Sequence, residues 1–134
     1  MTERKVIRVR DVMKEKFDMV DGLTSVSAAL QKMRHVETKC VLVDKRHDDD
    51  EYGFLLISDI ARGVLAKDKS PHRVNVYEIM AKPVIYVDPE MDIRYCSRLF
   101  ERFNLSRAPV VENGKVIGII SFTDMVLKGL FLTV

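Results

Sequence analysis

The 134-residue sequence has no tryptophan and is short of cysteine (two), proline (four), glycine (six) and histidine (three). Each shortage excludes something. Two cysteines cannot frame a disulfide scaffold. Cys40 and Cys96 both fall in apolar patterns and read as buried, reduced thiols of a cytoplasmic protein. So little proline and glycine excludes collagen-like and low-complexity chains. No apolar run approaches the ~20 residues of a membrane span, and Met1 to Arg10 is charged without an apolar core, so neither a membrane segment nor a signal peptide is expected. A net charge of +2 is too small to argue for nucleic acid or an anionic membrane. There is no P-loop, nucleophile elbow, paired-cysteine zinc spacing or His-Glu-x-x-His, so no enzyme, required cofactor or metal is expected. His47 and the acids Asp48 to Glu51 are consecutive rather than spaced to converge, and Arg46 to Glu51 reads as a solvated loop tip. The stripe Arg94, Arg98, Arg102 reads as a solvated helix face rather than a nucleic-acid surface.

What is present is an ordinary globular composition, 47% hydrophobic and 31% charged, carrying an internal repeat. Val9-Arg10-Asp11-Val12-Met13 recurs as Val76-Tyr77-Glu78-Ile79-Met80, 67 residues on. Val20-Asp21 recurs as Val87-Asp88 (67), Val43-Asp44 as Val111-Glu112 (68), and Ser58-Asp59 as Thr123-Asp124 (65). Four matches in order define a first repeat over 6–66, a linker over 67–75 and a second repeat over 76–134, the two expected to form one module.

Each copy reads alike. A helical turn ends at Met13 or Met80, followed by a strand, Phe17 to Val20 or Val84 to Val87. The next helix begins near Ser25, with Thr24 as the expected cap, and its apolar positions Val26, Ala29, Leu30 and Met33 follow helical spacing. In the second copy Ile93, Cys96, Phe100 and Phe103 do this work and Asp92 is the expected cap. A hairpin follows: Cys40 to Val43 with Tyr52 to Ile57, and Ala108 to Val111 with Lys115 to Phe122. Asn113-Gly114 suits a two-residue turn with positive φ at both positions. Final helices run over Asp59 to Leu65 and Asp124 to about Leu132. The class is therefore α+β, two βαββα repeats. Each repeat alone leaves a sheet face bare, so the faces are expected to pack together with pseudo-twofold symmetry and leave clefts where the halves meet. The apolar stretch Leu127 to Val134 is expected to pack in a dimer interface or against the N-terminal segment.

Chemistry concentrates where the last strand of each copy meets its helix. If the strand runs on through Thr123, Ser121 and Thr123 share a face, and both hydroxyls stand beside Asp124. An open carboxylate there could accept both hydroxyls of a ribose, charge-assisted bonds contributing ~1.5–3 kcal/mol each. The plain alternative is that Thr123 caps the helix and Asp124 complements its dipole. The sister pair is Ser58 and Asp59, with Leu56 where the second copy has Ser121.

Three motifs, Val9-x-x-Val12-Met13 with its repeat, Arg107-Ala108-Pro109-Val110-Val111, and Gly118-Ile119-Ile120-Ser121-Phe122-Thr123-Asp124, together resemble the cystathionine beta-synthase (CBS) domain. That domain occurs in tandem as a Bateman module, and the resemblance covers about Val9 to Gly129. It implies adenosine-containing ligands (AMP, ADP, ATP or S-adenosylmethionine), a regulatory role toward another domain or protein, and a homodimer. It further implies walls opposite each aspartate: Lys82, Pro83, Val84 and Ile85 with Arg107 and Ala108 for Asp59, and Lys16 and Phe17 with Lys39 and Cys40 for Asp124. Asp18, next to Phe17, would be a poor neighbour for a phosphate. Because Leu56 and the walls are imperfect, a second reading is a structural dimerisation unit with vestigial clefts.

Overall fold

The computed structural model describes residues 5–133. Met1 to Arg4, at the start of the charged N-terminus, and Val134, the last residue of the apolar stretch expected to pack, lie outside the described residues.

Both hairpins form. β2 (Cys40–Val43) pairs antiparallel with β3 (Gly53–Leu56), and β4 (Arg107–Glu112) with β5 (Lys115–Ser121), Arg107 opposite Ser121. Asn113 and Gly114 take φ of 52° and 78°, as the tight turn requires. The first strands are shorter than expected. β1 is Met19–Val20, parallel to β2, and Val84 to Val87 contributes one bridge, Val87 to Val110. α2 (Val26–Lys32) starts one residue later than expected, because Ser25 rather than Thr24 is the cap and its hydroxyl accepts the Ala28 N–H at 3.1 Å. α4 (Ile93–Phe103) is capped by Asp92, which accepts the Arg94 N–H. The last helices begin two residues earlier than expected: α3 (Ile57–Ile60) and α5 (Phe122–Asp124) continue as wider π-helical turns, Ala61–Leu65 and Met125–Gly129.

The duplicated turn is α1 (Val9–Val12) in one copy and the 3₁₀ turn Val76–Glu78 in the other. Its acidic third position has a physical cause. The Asp11 carboxylate accepts the Arg8 N–H, and the Glu78 carboxylate accepts the Asn75 N–H, each satisfying an orphan donor.

The chain divides into two compact units, Met1–Lys16 with Ile85–Val134, and Phe17–Val84. The units and the sequence repeats are thus cut at different places, since each unit takes its turn segment from the other copy. In the first unit Ile7, Val9 and Val12 join Cys96, Phe100, Val110 and Ile120 in one core; in the second, Val74 and Val76 join Val26, Val41 and Leu55. Burial pushes the Cys96 thiol up to about 12. Met125 and Gly129 are buried beside the N-terminal segment, but the apolar side chains of the stretch expected to pack, Leu127, Leu130 and Phe131, are exposed within this chain, as is Val126.

A backbone bridge locks each exchanged segment. Lys14 and Ile119 exchange N–H···O bonds of 2.8 and 2.9 Å, and Ala81 and Phe54 do the same at 2.8 and 2.9 Å. The strand residue before each partner is a glycine. A Cβ on Gly118 would stand 2.7 Å from the Lys14 carbonyl oxygen, and one on Gly53 would stand 2.5 Å from the Met80 sulfur. The Lys14 clash is with backbone and cannot be relieved by a rotamer change. Gly118→Ala is therefore expected to lower stability by about 1–3 kcal/mol, read as a fall in the midpoint of thermal or urea unfolding. An unchanged midpoint would show that the segment can yield.

Candidate functional site

At the end of β5 the chain turns into α5, and three side chains meet. Ser121 is the helix cap. Its hydroxyl accepts the Asp124 N–H at 3.1 Å and donates to Asp124 Oδ2 at 2.9 Å. Asp124 Oδ1 accepts from Lys14 Nζ at 2.5 Å, and Lys128 Nζ stands 3.6 Å away. Ser121 and Asp124 are buried, the carboxylate with only 3% of its side chain exposed, and the Lys14 side chain is 23% exposed.

Two expectations change here. Thr123 neither shares a strand face with Ser121 nor caps the helix. The strand ends at Ser121, and Thr123 is an exposed residue of α5. Asp124 is not an open carboxylate: burial requires partners, and Ser121 and Lys14 supply them.

The sister end differs. Leu56 carries no hydroxyl, so Asp59 itself does the capping. Its Oδ2 accepts the Leu56 N–H at 2.9 Å, and Arg62 Nη1 lies 3.8 Å from Oδ1. Ser58 is exposed. The residue matching Lys14 is Ala81, so no ammonium arrives.

The expected wall residues divide between the units as follows. Lys16, Ile85, Arg107 and Ala108 belong to the unit of Asp124, and Phe17, Lys39, Cys40, Lys82, Pro83 and Val84 to the unit of Asp59. Arg107 lies opposite Ser121 and Cys40 opposite Leu56. The Lys39 carbonyl accepts the Ile57 N–H, and the Ser106 carbonyl accepts the Phe122 N–H, so each strand entry is tied to its own helix start.

Two further assignments shift. Asp18 is turned to the end of α2, where its oxygens accept the Arg34 and His35 N–H groups at 3.0 Å each. Lys82 donates to Asp50 at 2.9 Å, as does Arg46 at 3.0 Å. The Arg46 side chain, then its N–H and Lys82, hold the Asp50 carboxyl well below the usual carboxylate range. The loop tip is thus clasped at Asp50 rather than wholly solvated. A cavity of about 720 Å³ in this unit is lined by Lys82 with Asp21, Leu23, Val43, Arg46 and Tyr77.

Sequence reasoning missed Lys14. The available signal was its place directly after the duplicated Val-x-x-Val-Met, where the other copy has Ala81. Among the described residues, no group of three or more His, Cys, Asp and Glu side chains is arranged to hold a metal ion, and no helix is long and apolar enough to cross a membrane.

The comparisons with known proteins agree with this architecture. The CBS domain family matches residues 76–129. The hexameric CBS-CP12 protein from bloom-forming cyanobacteria is 34% identical and superimposes with a TM-score of 0.89 over 96% of this chain and 74% of that one. An uncharacterized protein of Methanopyrus kandleri is 30% identical over 103 residues, 76% of this chain, and the match spans about half (52%) of that relative. The CBS domain pair crystallised with 5′-methylthioadenosine and S-adenosyl-L-methionine is 22% identical, with a TM-score of 0.78 over 96% of this chain and 98% of that one, a likeness of fold. The chain belongs to the CBS domain family, and its two copies make it a tandem CBS pair.

Because Ser121 satisfies both a helix-end donor and a buried carboxylate, Ser121→Ala is expected to cost about 0.5–2 kcal/mol. Chemical denaturation reads it. A cost below that range would mean that another group takes over the cap.

Proposed function

We propose that this chain is a regulatory module whose Ser121–Asp124 end receives the ribose of an adenosine-containing ligand, AMP, ADP, ATP or S-adenosylmethionine. The observation that carries this reading is the buried Asp124 carboxylate, held by the Ser121 hydroxyl at the end of β5. A carboxylate fixed in one orientation by its neighbours is preorganised to accept hydrogen bonds from a vicinal diol. Family membership supports the ligand class, as does the adenosine chemistry bound by the distant CBS pair. Asp59 is the second candidate, since Leu56 stands where Ser121 supplies a hydroxyl.

The ligand's effect would pass to a second copy of the chain or to a regulated partner. The exposed face formed by Val126, Leu127, Leu130 and Phe131 supports such an assembly. The effect requires two arrangements of the module that differ in ligand affinity.

One observation favours the alternative of a structural interaction unit: both Asp124 oxygens already have partners in Ser121 and Lys14. Thermal unfolding with millimolar AMP, ADP, ATP and S-adenosylmethionine separates the two readings. A ligand at 100 times its Kd adds about 2.7 kcal/mol to the folded state, so at least one should raise the midpoint by several degrees, and Asp124→Asn should remove that rise. No shift with any of the four, in a folded protein, leaves the structural reading standing.

A further inference from the structure

We infer that Lys14 is a specificity-determining residue that makes the Asp124 end select an anionic adenosine ligand over a neutral or cationic one. This rests on the proposed adenosine reading and adds the charge of the ligand.

The argument begins with the carboxylate. Oδ2 holds the Ser121 hydroxyl, and Oδ1 holds the Lys14 ammonium, with Lys128 3.6 Å away. A ribose hydroxyl that takes the place of Lys14 on Oδ1 displaces the ammonium. The lysine cannot withdraw bodily, because its N–H and carbonyl are both bonded to Ile119, and the missing Cβ of Gly118 is what admits it there. Only the flexible four-carbon stem can move. The displaced ammonium therefore stays near the ligand; paired with Asp124, the Lys14 side chain is 23% exposed.

A partly covered ammonium that loses its counter-charge is costly. A phosphate on the ligand replaces the lost partner. A neutral thioether replaces nothing, and S-adenosylmethionine, with a sulfonium and an ammonium against one carboxylate, adds net like charge. Two ammonium groups lie within 4 Å of a single carboxylate, so the cluster carries one excess positive charge before any ligand arrives. The other unit lacks this device, since Ala81 occupies the same bridge and brings no charge.

The test is calorimetric titration of the full chain with AMP, 5′-methylthioadenosine and S-adenosylmethionine, which share adenosine and differ in charge. The wild type should bind AMP at least about tenfold more tightly than either of the others, ~1.4 kcal/mol. Lys14→Met, which keeps the stem and removes the ammonium, should erase that preference by weakening AMP and leaving or tightening S-adenosylmethionine. Lys14→Arg should restore it. In the wild type alone, raising salt should weaken AMP and spare methylthioadenosine, a readout that does not depend on the variants folding. The charge selection is overturned if Lys14→Met changes all three affinities by one common factor, or if the wild type prefers a neutral or cationic ligand. If none of the three binds any of these proteins, the adenosine reading itself fails and the selection falls with it.

Discussion

In both units a chain segment approaches a strand so closely that the strand residue beside the contact has room for no Cβ. That constraint organises both units. Lys14 meets Ile119 beside Gly118, and Ala81 meets Phe54 beside Gly53. The bridge closes each core with residues from the other sequence copy: Ile7, Val9 and Val12 in one unit, Val74 and Val76 in the other. It also decides which side chain is delivered to the end of the neighbouring hairpin. The first copy delivers a lysine and the second an alanine.

From this common frame the two ends diverge through one residue. With Ser121 as cap, a hydroxyl satisfies the helix donor and the carboxylate of Asp124 is left to hold an ion pair. With Leu56 in that place, the carboxylate of Asp59 must reach back to the backbone and becomes the cap itself. The reach-back is the device seen at Asp11 and Glu78, where no hydroxyl is available either. An aspartate at the same repeat position is therefore a helix cap in one copy and an ion-pair partner in the other.

Much of the fold was legible because short-range physics dictates it. Asn113-Gly114 demands a tight turn, the hairpin strands are apolar runs bounded by polar residues, and Asp92 is the side chain placed to cap α4. Errors of one or two residues arose where two suitable groups are adjacent. Thr24 and Ser25 can both cap, and Ser25 does. Thr123 belongs to the helix because Ser121 ends the strand first. The exchange of turn segments was not legible. A repeat offset states that two segments are alike, but it does not state which sheet each one docks on. Lys14 was overlooked for that reason, since its importance lies in a partner 110 residues away. The Asp50 clasp was hidden in a run of charges in which no residue type distinguishes Asp50 from Asp48 or Asp49.

The lysine–aspartate pair also supplies what a regulatory domain requires. A ligand shifts an equilibrium only by its difference in affinity for two states. A contact that must break when the ligand binds is a source of that difference, provided the broken partner is attached to something able to respond. Lys14 sits on the segment that carries α1, and α1 is tied to the rest of its unit by Arg10, which pairs with Glu90 at 2.8 Å and with Glu112. Those ties lie where Arg10 is 42% exposed and salt screens them. The Lys14 pair is the more covered of the two attachments. Beneath both, the segment is anchored by the buried Ile7, Val9 and Val12 and by the Lys14–Ile119 backbone bridge, so exchange of the Lys14 partner would act on a segment whose core anchors stay in place. Under the proposed function, a ligand at Asp124 would act on the N-terminal segment, the part of its unit that comes from the other repeat.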